Sequence, residues 1–110
     1  MIVEVVGGAD ERPVVRVVDV DDLSRLHLAL GEVTDEEADE ALRAAGLGHL
    51  RDAGTGLLDT AALRANAGAQ ASAPDWGERF DAMVAQARAR GWVEDDGATL
   101  QVHVESAAGA

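Results

Sequence analysis

The chain has 110 residues, a formal net charge of −12 and neither cysteine nor lysine; all nine basic residues are arginine, set against 21 aspartates and glutamates. A charge this negative argues against nucleic-acid backbones and anionic membranes as partners, because both require cations to displace counterions. The missing cysteine removes disulfides, thiolate nucleophiles and cysteine-ligated metals. The 47% apolar content supports a folded chain, with a core of Val, Leu and Ala around Trp76, Phe80 and Trp92. The start, MIVEVVGGADE, has no basic leader and no apolar run approaches a membrane span, so a cytoplasmic protein is expected. Lysine-free, Ala/Gly/Arg-rich composition fits GC-rich bacterial codon usage better than salt adaptation.

Ile2 to Val6 and Pro13 to Val20 are valine-rich runs around a glycine-containing break, which predicts an antiparallel hairpin. A turn centred near Asp10 sets Glu4 opposite Arg16 on the face away from the core. Asp21 to Leu30 reads as a helix with Leu23, Leu26 and Leu30 on one stripe and Asp19, Asp21 and Asp22 crowding its start. Thr34 and Glu37 form a capping box for a second helix with Ala38, Ala41, Leu42 and Ala45 buried and Gly46 as its stop. Leu47 to Gly56 reads as one or two short strands or a loop. Asp59 or Thr60 starts a short helix through Ala67, and Ala65 to Pro74 reads as a surface loop. Asp75 to Arg90 is a long amphipathic helix, with Asp75 and Glu78 as its capping box and Gly91 as its stop. A hairpin follows from Trp92 to Glu105 through an Asp-Gly turn, with Leu100, Val102 and Val104 inward.

No constellation of reactive side chains stands out. Ser24 and His27 flank a leucine stripe without a glycine-framed nucleophile turn, which leaves them as positions at a helix edge. His27, His49 and His103 lack the spacing of a helical ligand pair, and the acidic runs lack a calcium-loop pattern. Gly7-Gly8 has no following lysine and precedes a strand, unlike a phosphate loop. No cofactor or metal is therefore expected.

The expected fold is a single α+β domain over residues 1–105: a small antiparallel sheet from the N-terminal and C-terminal hairpins, about four helices packed on it, and a frayed tail over residues 106–110. The C-terminal third looks winged-helix-like, with Arg79, Gln86 and Arg90 along one helix edge, but Glu94-Asp95-Asp96 at the wing tip opposes DNA. The expected function is a non-catalytic intracellular interaction or regulatory module whose partner is a protein of basic character or a second copy of the chain. Leu28, Leu57, Leu58, Arg79, Trp92 and His103 form its expected interaction surface. The alternatives are a winged-helix-like nucleic-acid protein or DNA mimic, and a small-ligand domain with a cleft near Trp76, Trp92 and His103.

Overall fold

The computed structural model describes residues 1–8 and 11–106. Their order is β1 (Ile2–Gly8), β2 (Glu11–Val18), β3 (His27–Gly31), α1 (Asp35–Ala44), β4 (Gly48–Asp52), β5 (Thr55–Asp59), α2 (Thr60–Gly68), α3 (Trp76–Ala89), β6 (Val93–Glu94) and β7 (Thr99–Ser106). All the strands join one sheet in the order β2-β1-β3-β7-β5-β4, with β6 added to the edge of β7. The sheet is mixed: β1 with β3 and β3 with β7 are parallel, and the remaining pairs are antiparallel. This corrects the expected antiparallel sheet with about four helices; among the described residues there are three α-helices and seven strands.

The first hairpin forms in the expected register. Glu4 pairs with Arg16 across the strands, and Arg16 Nη2 lies 3.4 Å from Glu4 Oε1. Val3, Val5 and Val17 point into the core from the opposite face. The expected turn centre at Asp10 lies outside the described residues.

The expected helix from Asp21 to Leu30 does not exist. Residues 19–26 cross the end of the hairpin without regular structure, and His27 begins β3, whose last four residues are all buried. Leu28 and Leu30 lie beside Val3 and Val5 of β1, while Ala29 is buried on the other face. A strand covered on both sides needs no alternation, and the apparent helical stripe joins Leu30 of β3 to Leu23 and Leu26 of the segment before it. The aspartates before it are not a helix start. Asp22 instead accepts from the Ser24 amide at 3.1 Å and its hydroxyl at 2.6 Å, a local turn that competes with helix.

The glycines that made residues 47–56 illegible turn out to admit two strands. Gly48 has φ +151°, and a Cβ there would sit 2.0 Å from the Leu57 carbonyl oxygen. Gly56 leaves room for Leu28, whose Cδ2 would lie 2.9 Å from an added Cβ. β4 and β5 therefore approach each other, and the Leu28 side chain reaches across β7 to Gly56, where any side chain would intrude.

The sheet curls until α1 touches both of its edge strands, β2 and β4. The capping box of α1 is complete: Glu37 N donates to Thr34 Oγ1 at 3.1 Å and Thr34 N to Glu37 Oε1 at 2.9 Å. α2 is capped by Asp59. Asp75 precedes α3, but its side chain makes no capping bond, so the expected second box is absent. Trp76 and Phe80 of α3 stack with ring centroids 5.1 Å apart and join Leu42, Leu58, Leu63 and Leu100 in the core.

The winged-helix likeness also fails. β7, the expected wing strand, lies inside the sheet, parallel to β3 and antiparallel to β5, and β6 is only two residues long. The turn between them is a 3₁₀ segment, Asp95–Gly97, with positive φ at all three residues. Ser106 ends β7 rather than starting a tail; residues 107–110 lie outside the described residues.

Because Leu28 is fully buried while Leu23 is only partly so, the strand assignment can be tested by stability. Leu28→Ala should cost about 2–5 kcal/mol in urea unfolding, and Leu23→Ala distinctly less. Equal costs would contradict the assignment.

Candidate functional site

The structure divides the expected interaction surface. Leu28, Leu57 and Leu58 are buried strand residues, and Leu28 and Leu58 belong to the core cluster, so they offer no exposed surface to a partner. Arg79 is exposed and donates from Nη2 to the Asp21 carbonyl at 3.3 Å. Trp92, 47% exposed, and His103 both line a groove over β7. Trp76 does not join them: it is buried in the core, and its Nε1 donates to the Val20 carbonyl at 2.6 Å.

This groove exists because two partners share one edge of β7 without meeting. β6 pairs with Thr99 and Leu100, and β3 pairs from Val104 onward. The gap is floored by Leu100, Gln101 and Val102. Met83, Gln86, Ala87 and Arg90 of α3 form one wall, and Leu23, Ser24, Arg25 and Leu26 form the other. Trp92 stands where this cavity of about 320 Å³ meets a second of about 380 Å³, lined further by Gly54, Thr55 and His103. None of the lining residues is acidic. Arg90 lies over Trp92, with Cζ 5.3 Å from the ring centroid. The acid-free stretches Leu23–Gly31, Ala82–Val93 and Gly97–Val104 were the available signal for this site, and only the fold shows that they converge.

The loop wall is held by its own backbone. The carbonyls of Val20 and Asp21 accept from Trp76 and Arg79, and that of Asp22 accepts from the Met1 ammonium. The Asp21 carboxylate also binds the Ser72 hydroxyl at 2.9 Å and the amides of Ser72 and Ala73. His27 Nδ1 donates to the Arg25 carbonyl at 2.8 Å, and its Nε2 lies 3.4 Å from Glu105, which is 4.0 Å from His103. Ser24 faces Asp22 and His27 faces Arg25 and Glu105, so no nucleophile–base contact forms between Ser24 and His27. Among the described residues no three His, Asp or Glu converge as a metal site, and no helix is long and apolar enough to cross a membrane.

A separate concavity, about 520 Å³, lies at the seam where the curled sheet meets α1. Arg12 and Pro13 of β2 face Glu37, Glu40, Ala41 and Ala44 of α1 across it. Val14, next along β2, is 53% exposed. Five arginines elsewhere are paired: Arg16 with Glu4, Arg43 with Asp39, Arg51 with Glu94, Arg64 with Asp81 and Arg88 with Asp96. These exposed pairs contribute little stability each, but they consume positive charge and leave a mostly anionic exterior.

Hydrogen bonds hold several carboxyl groups below their ordinary range. Asp21 is lowered chiefly by the Ser72 hydroxyl, Asp22 by the Ser24 hydroxyl, Asp39 by the Leu50 amide and Glu94 by Arg51. A depressed folded value adds stability above the unfolded carboxylate value, and that stability is lost as pH falls through the folded one. The urea midpoint should therefore hold at neutral pH and decline below roughly pH 5. Asp21→Asn and Asp39→Asn should each flatten that decline. A midpoint unchanged down to about pH 2 would contradict the assignment.

Comparison with known proteins returns no matching family model, curated protein or solved structure.

Proposed function

We propose that this protein is a non-catalytic interaction module that docks a basic protein partner on the seam between α1 and β2. The observation that carries this reading is the composition of the seam. It has an apolar floor of Pro13, Ala41 and Ala44 and a carboxylate wall of Glu37 and Glu40 that outnumbers the one cation facing it, Arg12, with the exposed Val14 beside it. Small floor residues let a partner backbone approach closely, and a charged rim around an apolar centre is the general anatomy of a protein interface.

Charge supports the same partner class. Asp35, Glu36 and Glu40 of α1 are exposed and enter no ion pair among the described residues. Within a net charge of −12, they attract arginine- or lysine-rich surfaces and speed encounter, most strongly at low salt.

The test is affinity capture on the folded chain, with every recovered protein then measured in purified form. A partner fitting this reading has a basic contact surface and binds the Glu36→Arg, Glu40→Arg double variant about tenfold or more weakly. Both substitutions leave the Thr34–Glu37 capping box intact. Reversing a contacting cation on the partner to Glu should restore binding to that variant. Equal binding by wild type and variant rejects the seam as the docking surface.

A further inference from the structure

We propose that the groove between α3 and residues 23–26 is a binding site for a small organic anion: an apolar ring or chain that carries a carboxylate. This goes beyond the interaction reading and uses none of the seam residues.

Three observations converge. First, the groove is free of carboxylates in a chain where 21 of 110 residues are acidic. Three further concavities each contain at least one, Asp81, Asp59 or the Glu37–Glu40 pair. Excluding acid from one hollow on so acidic a molecule is what an anion site requires. Second, two cations remain available there. Arg25 and Arg90 line the groove and make no ion pair within 4.0 Å among the described residues, Arg25 interacting with the Asp22 carboxylate only at longer range, whereas five other arginines are paired with carboxylates. Arg90 is set over Trp92, and stacking orders a guanidinium while leaving its edge donors free for a planar carboxylate. Third, the rest of the lining suits an apolar body. Leu23, Leu26, Met83, Leu100 and Val102 surround the space, and the half-exposed Trp92 closes one end. A volume of about 320 Å³ is at the small-molecule end of the range for ligand sites.

The molecule's net charge opposes an approaching anion at long range. Salt limits that repulsion to roughly 8 Å under physiological conditions, so contact with Arg25 and Arg90 governs the bound state. Gln86 adds a side-chain amide at the same wall, able to donate to an oxygen that the arginines do not fill, whereas the Gln101 amide already donates to Glu94 Oε2 at 3.3 Å.

The probe is 8-anilinonaphthalene-1-sulfonate, an aromatic body with one anionic group, compared with its uncharged relative N-phenyl-1-naphthylamine. Titration of the folded chain should give saturable fluorescence at one site per chain. The uncharged dye should bind at least about tenfold more weakly, the scale of one charge-assisted hydrogen bond. Arg25→Gln and Arg90→Gln should each weaken the anionic dye by about tenfold, with little effect on the uncharged one. Arg16→Gln, which alters the hairpin pair and not the groove, should change neither. 4-Phenylbutyrate should displace the bound anion, and 4-phenylbutan-1-ol should not. Thermal unfolding of each variant checks its fold; if a glutamine variant unfolds, Arg90→Lys and Arg25→Lys, which keep the charge, should retain most of the binding. No saturable site, equal binding of the two dyes, indifference to both arginines, or equal displacement by the alcohol would each overturn the proposal.

Discussion

The bond from Trp76 Nε1 to the Val20 carbonyl is the constraint on which the rest of the structure depends. After β2 the chain must cross the end of β1 to lay β3 parallel to it, and that crossing runs through residues 19–26 without a helix or strand to satisfy its backbone. Buried peptide groups left without partners are costly. Here consecutive carbonyls, from Val20 to Asp22, are met by the indole of Trp76, the guanidinium of Arg79 and the amino terminus. One face of α3 thereby sets the position of a segment more than fifty residues earlier. The same side chain stacks on Phe80 in the core, so the crossing, the helix and the core are fixed together.

That arrangement also creates the groove. Had residues 19–26 been the expected helix, they would have packed against the sheet as a regular element. As a stapled loop they are tied to α3 at residues 20 and 21, leaving Leu23 and Arg25 on the wall, while the short β6 and the late start of the β3 pairing leave Val102 and His103 of β7 without a strand partner on that edge. The curl of the sheet has a parallel consequence at its other margin. The edge strands β2 and β4 both reach α1 rather than each other, and the α1–β2 seam is what remains open.

Charge is distributed unevenly for reasons that follow from position. Carboxylates occupy helix starts and turns, where free amides hold them: Glu37 at the start of α1, Asp59 before α2, Asp21 and Asp22 in the crossing. Five of the nine arginines pair with other acids, Glu4, Asp39, Glu94, Asp81 and Asp96, across short distances. What is left over is an anionic α1 and one groove without acids, so a uniformly negative composition yields two surfaces of opposite local character.

Legibility followed the range of the interactions involved. The first hairpin and its Glu4–Arg16 pair, the capping box at Thr34, the left-handed stops at Gly46 and Gly91 and the inward alternation of Leu100, Val102 and Val104 are all set within a few residues, and the sequence by itself determined them. Tertiary structure alone decided whether His27-Leu28-Ala29-Leu30 becomes helix or strand, because a short apolar run buried on both faces carries no period and takes its form from the neighbours that cover it. It also decided that Leu57 and Leu58 are core and that Trp76 and Trp92 have opposite fates, since which side of β7 is covered depends on β3 arriving from the far end of the chain. The acid-free stretches were visible in the sequence; their convergence was not, because composition records how many charges a chain has, and only parallel strand pairing brings residues 25, 90 and 101 to one place.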